Sequence, residues 1–257
     1  MQRLSAFGEA LRETPQQAPE KFKSDGKSKR YSTHSKSLSI RSAPEGWRNS
    51  VMQEMPAALQ LLFLIQCATG CRPQELANGA RVRLCRDGSV VTRVKGAKTT
   101  DTVGQPVRGM RLSASSGIVS ELAARLKVGV TVDSRGCGMV EVNTYAKSVA
   151  RACARAFPKR RDTSRLSAYS VRHQFKADLI AAGWSSTDIS KAMGHSTTRS
   201  GTAYGRGGRG GRSGVSPLAI RAPRAVRLRG AYPRLKHVAA TGKKVPSSTP
   251  RGRKVKP

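Results

Sequence analysis

The chain has 257 residues, enough for one large domain or two small ones, and a formal net charge of +33. Hydrophobic residues make up 37% and aromatics only 5%, which is lean for a chain packed along its whole length. A field of this sign disfavours cationic partners and draws polyanions, nucleic acid first among them.

In chain order, residues 1–46 are rich in Ser, Lys, Gln and Pro without a sustained period. They read as a largely flexible basic arm, with a short helix near Leu4–Leu11. A packed segment begins near Trp47. "MPAALQLLFLIQCATG" reads as a buried helix, with Pro56 suited to its first turn and Gly70 to its end. Its apolar run is too short to span a bilayer and carries two Gln, so no membrane helix is expected. The N-terminus also lacks an apolar signal core. A second helix should begin at "CRPQELANG".

The period then changes from helical to alternating. "ARVRLCRDGSVVTRVKGAKTTDTVGQPVRGMRL" predicts a small antiparallel sheet of about three strands, with "RDGS" and "KGAK" as turns. "SSGIVSELAARLK" and "NTYAKSVARACARAF" return to helical spacing with capping residues at their starts. "VRHQFKADLIAAG" stops at Gly183, and "SSTDISKAMG" opens on the capping pattern Ser185-x-x-Asp188. The packed part, 47–204, is therefore mainly α with a small antiparallel sheet, an α+β class.

From Gly205 to the end there are fifteen Lys/Arg and no Asp/Glu. Like-charge repulsion and low hydrophobicity predict a disordered tail over 205–257, with RGG-like character at "GRGGRGGRSG". Five scattered cysteines form no CxxC pair, so neither a zinc site nor a disulfide framework is expected.

Several polar residues stand where phosphate chemistry would want them. Arg72 and Arg172 lie near predicted helix starts, where backbone N–H groups favour anions and a guanidinium adds a bidentate fork. Taken singly, either is a solvated surface arginine. Lys95 and Lys98 flank the "KGAK" turn and serve either solubility or proton donation. His195 follows Gly194, where capping or packing also explains it. Tyr204 lies in a polar, Gly-flanked loop with little apolar surrounding.

Together these residues form an ordered pattern. "TGCRPQEL" resembles the first arginine box of the tyrosine recombinase (phage integrase) family, Thr-Gly-x-Arg-x-x-Glu-Leu. "RVKGAKT" resembles its hairpin with the catalytic lysine, for which Lys95 is the better match. "YSVRHQF" resembles the His-x-x-Arg-His box, and "MGHSTTRSGTAY" the Gly-His box with Tyr204 at the nucleophile spacing. The resemblance covers roughly residues 47–204.

It implies a catalytic-domain fold and a strand-breaking and rejoining enzyme for DNA integration or recombination. Tyr204 would attack the phosphodiester to give a 3′-phosphotyrosyl intermediate and release a 5′-hydroxyl. A phenol with pKa about 10 can do this where positive charge stabilises the phosphate and the attacking oxygen. Arg72 and Arg172 would clamp the nonbridging oxygens, His195 would donate to one, and Lys95 would protonate the leaving oxygen. Glu75, Lys98 and His173 would support this set. The bond energy stays in the phosphotyrosine, so neither metal nor nucleotide cofactor is required. The implied partners are double-stranded DNA, further copies of the chain on that DNA, and a separate core-binding or accessory protein. The compartment would be the nucleoid-bearing cytoplasm in a bacterium or phage host, and the nucleus in a eukaryote.

The chain departs from the family pattern in three ways. Tyr169 stands where His is usual, and a phenol is a poorer proton acceptor at neutral pH. His173 matches the trailing His of the box, where packing and catalysis explain it equally. After Tyr204, "GRGGRGG" cannot continue into the usual docking helix, and upstream there is no room for a core-binding domain. A weakened DNA-binding relative is thus the first alternative, and a basic RNA-associated protein acting through its tail is the second. A type IB topoisomerase shares the chemistry, but the Gly-His spacing fits it less well.

Overall fold

The computed structural model describes residues 40, 43–115, 117–138, 141–159, 166–199 and 214–228. They form a mixed helical and antiparallel-sheet fold, the α+β class expected from the alternation of periods. Helix α1 (Trp47–Glu54) leads into α2 (Ala57–Thr69), which starts after Pro56 and stops at Gly70 as anticipated. The second half of α2, Leu62–Thr69, is buried on every side, and α1 and the later helices Gly117–Ala124 and Ala168–Ala181 pack around it. An apolar surface covering the whole helix circumference has no other stable place than the core.

The short helix α3 (Pro73–Ala77) follows, with Pro73 in its first turn. The chain then lays down β1 (Ala80–Leu84), β2 (Val90–Lys95) and β3 (Val107–Leu112) as an antiparallel meander. Ala80, Val82, Val90, Thr92, Val94, Arg108, Met110 and Leu112 face the core, and the alternate residues face solvent. Helix α4 (Gly117–Ala124) packs on α2, and β4 (Thr131–Asp133) adds to the free edge of β1. Helix α5 (Val142–Ala156) packs on α1 and α3. Helix α6 (Ala168–Ala181) packs on α2, and α7 (Ser186–Ala192) opens on the expected cap, with the Asp188 N–H donating to Ser185 Oγ at 3.1 Å.

Four expectations are corrected. The sheet has five strands in the order β4-β1-β2-β3-β5, because β5 (Pro217–Arg221) pairs with β3. Residues 214–228 thus belong to the fold and are not part of an unstructured tail. Their backbone polar groups find partners: the Val215 N–H donates to Asp178, and Arg224 exchanges hydrogen bonds with Gln105. "KGAK" is also not a tight turn, since it opens a loop running from residue 96 to 106. Ile40 and Ala43, assigned to a flexible arm, are buried in the core. The rest of the arm, the remainder of the tail and the short helix near Leu4–Leu11 lie outside the described residues. Among the described residues, no helix is long and apolar enough to cross a membrane.

Candidate functional site

The site is built where two helices end. Helix α2 closes on Gly70, whose left-handed backbone (φ 58°) L side chains rarely adopt. A Cβ there would lie 2.2 Å from the Phe175 ring, so space and conformation both demand glycine. Helix α7 closes on Met193 and Gly194. Carbonyls at helix C-termini lack intrahelical donors and sit at the negative end of the helix dipole. Arg172, in the second turn of α6, answers both: Nη1 donates to the Gly70 carbonyl at 2.8 Å, and Nη2 donates to that of Met193. Helix α6 is held in place by Gln66, which donates to the carbonyls of Ala168 and Cys71 and accepts from Tyr145.

Glu75 is the centre of the cluster and is fully buried. Its carboxylate accepts from the Arg72 backbone N–H at 2.7 Å and from Arg72 Nη1 at 2.8 Å. Arg108 reaches it from β3 with both terminal nitrogens, at 3.2 and 2.9 Å, and Arg172 Nη1 lies 3.6 Å away. Burial alone would push the Glu75 carboxyl up, but Arg108 and then Arg172 overcome this and hold its pKa down to about 2. Three guanidiniums therefore share one carboxylate, and these four groups carry two positive charges in excess. Arg108 and Arg172 are wholly enclosed, while the Arg72 side chain keeps 16% of its surface open. Arg72 is the mouth of the cluster.

His195 joins the same cluster, its Nε2 lying 3.3 Å from Arg172 Nη2. Burial first, then Arg172, Arg72 and Arg108, push its pKa down to about 3, so the ring is neutral at pH 7. A guanidinium can only donate, so Nε2 accepts from Arg172 and Nδ1 carries the proton. Any donation from His195 to an incoming anion then comes from Nδ1. Its backbone is fixed as well. Gln105 donates through its side chain to the His195 carbonyl and through its N–H to the Gly194 carbonyl, and the Gly104 N–H donates to Ser196 Oγ. The 96–106 loop is thereby tied to the segment carrying His195.

Of the residues named from sequence, the structure brings Arg72, Glu75, Arg172 and His195 together. Tyr169 lies one turn before Arg172 on α6 and is 41% exposed. His173 is buried on α6 beside Arg172. Lys95 lies at an outward position of β2, opposite Val107, on the face of the sheet away from Arg108. That placement runs against Lys95 as the better-placed lysine. Lys98 is exposed on the 96–106 loop. Tyr204 lies outside the described residues, five positions beyond Arg199.

The picture of Arg172 as an open phosphate fork is corrected, because both its terminal nitrogens already serve carbonyls of the protein. Sequence reading also missed Arg108. Its signal was present in "VRGMRL", where Arg108 falls in phase with Met110 and Leu112, the residues that alternation turns inward. A charged residue on a core-facing row requires a buried partner, and Glu75 is that partner. Comparison of the chain with family models, with curated proteins and with solved structures gives no match.

Proposed function

We propose that the chain is a DNA strand-transfer enzyme of the tyrosine recombinase kind, with Tyr204 as nucleophile and the Glu75-centred cluster as its anion pocket. The observation that carries this reading is the excess of positive charge around Glu75. Three guanidiniums converge on one buried carboxylate, and Arg72 among them keeps a solvent-facing side on which an incoming anion meets this positive potential. Arg72, which keeps the open side, is the group that first meets that anion, and a phosphodiester fits its planar fork. Arg172 and Arg108 act behind it by fixing Glu75 and the two helix ends. The order of the boxes along the chain supports the same reading.

In this scheme the Tyr204 oxygen attacks phosphorus, the 5′-oxygen leaves, and the phosphate remains on tyrosine as a 3′-ester. Arg72 takes up charge on a nonbridging oxygen, and neutral His195 donates from Nδ1. Lys98 is the better candidate to protonate the leaving oxygen, since its loop is bonded to the His195 segment. Tyr169, exposed one turn before Arg172, contributes a hydrogen bond from its phenol.

The test uses a duplex with a nick that lets the cleaved piece diffuse away, followed by a denaturing gel. A covalent protein–DNA band is expected from the wild type and none from Tyr204→Phe. A second reading, a DNA-binding relative without strand transfer, is favoured by the enclosure of Arg172 and by Tyr169 in place of His. It requires DNA binding with no band from either protein.

A further inference from the structure

The solvent face of the sheet carries a patch that the proposed chemistry does not use. Outward positions on four neighbouring strands hold Arg81, Arg83, Arg93, Lys95, Arg111 and Arg221, all exposed. Adjacent strands lie about 4.8 Å apart and successive same-face residues about 6.8 Å apart, so these six cations are crowded together. Two carboxylates offset part of the charge. Asp133 pairs with Arg81 at 3.0 Å and with Arg135 at 2.9 Å, and Asp87 pairs with Arg111. Arg83, Arg93, Lys95 and Arg221 have no carboxylate partner among the described residues.

The middle of this face is recessed. Gly109 takes an outward position there beside Val91 and Val107, Arg93 and Arg221 line a depression of about 450 Å³ around it, and Arg111, Ala219 and Arg221 line an adjoining one of about 320 Å³. Gly109, Ala219 and two valines, all uncharged and short, floor these depressions and guanidiniums stand beside them, so a ridge of negative charge can approach close to the sheet. The termini of this chain cannot fill that role, because both carry an excess of Lys and Arg.

We infer that the solvent face of the sheet, centred on Gly109 and carrying Arg83, Arg93 and Arg221 at exposed positions, binds the phosphate backbone of duplex DNA. This surface is separate from the Glu75 cluster, which lies on the other side of the sheet. Charge complementarity selects a polyanion, and the side-chain inventory selects a duplex. Sheets that bind single strands present aromatic rings on which bases stack. The outward positions of β1, β2, β3 and β5 hold no Phe, Tyr or Trp. Arginines around a shallow trough suit backbone binding without base reading.

The inference does not rest on the strand-transfer reading, and its test reads binding alone. In the full chain, R83A/R93A/R221A removes three cations at exposed positions and leaves Lys95, a candidate proton donor, in place. The salt dependence of affinity for duplex DNA should flatten by about 2.7 log–log units, about 0.9 for each phosphate no longer neutralised. An unchanged slope, with melting temperature preserved, overturns the surface. Arginine-selective labelling of the wild type read by mass spectrometry gives a second readout that needs no variant. Duplex DNA should protect Arg83, Arg93 and Arg221. Equal labelling with and without DNA, or protection by RNA but not by duplex DNA, overturns it as well. A protein that shows the slope change yet forms no covalent band supports the surface and refutes the strand-transfer scheme.

Discussion

His195 shows how far burial, and after it a neighbourhood of guanidiniums, reshapes one residue. Its pKa is about 3 in the folded chain against an ordinary 6.5. Between those values the unfolded chain binds the extra proton, so stability falls as pH falls through that window. The slope for one proton is about 1.4 kcal/mol per pH unit. Glu75, held down to about 2 from 4.5, adds loss only below about pH 4.5. Between pH 6.5 and 5 the melting temperature of the wild type should therefore fall, and His195→Gln should flatten that fall. Equal pH dependence in the two proteins would mean that His195 takes its proton without cost, contrary to its place among the arginines.

Gly70 has a comparable weight for a different reason. Gly70→Ala forces a side chain into φ 58° and into the Phe175 ring at the same time. Either α2 or α6 must then shift, and the Gly70 carbonyl moves off Arg172. A loss of about 3 kcal/mol or more is expected in denaturant unfolding, in the range of severe core substitutions. Gly183→Ala is the control, because nothing lies within 4 Å of its added Cβ, although its φ of 78° still carries strain. Equal losses in the two variants would show that conformation alone matters at Gly70.

Among the elements, β5 changes the account most. The segment "SPLAIR" is short, surrounded by Gly and Arg, and lacks enough alternation to be read as a strand by itself. What makes it one is tertiary. The free edge of β3 offers unpaired backbone groups, Asp178 captures the Val215 N–H, and Gln105 captures Arg224. Most of the helices were legible from their period and their end signals, whereas α1 was read only as the start of a packed segment. Gly70, Pro73 and Ser185 signal locally. Arg108 was legible only in retrospect, since its meaning depends on Glu75, thirty-three positions away. Truncation discriminates between strand and tail. A chain ending at residue 228 should melt as the full chain does, whereas one ending at 213 should melt several degrees lower. Coincident melting of the two would remove β5 from the fold.

For the whole molecule, the distribution of charge separates binding from chemistry. After residue 228 the chain holds nine Lys/Arg and no Asp/Glu, so ending it there removes nine cations and no carboxylate side chain. The salt slope on duplex DNA should flatten by several units, with all sequences weakened alike. An unchanged slope would show that the terminal stretch does not touch DNA. The Glu75 cluster differs from that stretch, because it gathers charge inside the fold and opens to solvent at Arg72.

An anion-binding role for that cluster is the central claim, and covalent adduct formation at saturating duplex DNA tests it most directly. Saturation removes differences in binding, so the rate reports the pocket itself. Arg72→Ala should slow the wild-type rate by a hundred- to thousandfold, the usual effect of losing one preorganised donor to developing charge, or about 2.7–4 kcal/mol. Arg72→Lys should not restore it, because a point charge cannot reproduce the planar fork. Tyr204→Phe should give no adduct at all. Near-equal rates for wild type, Arg72→Ala and Arg72→Lys, or an adduct that survives Tyr204→Phe, would contradict the account.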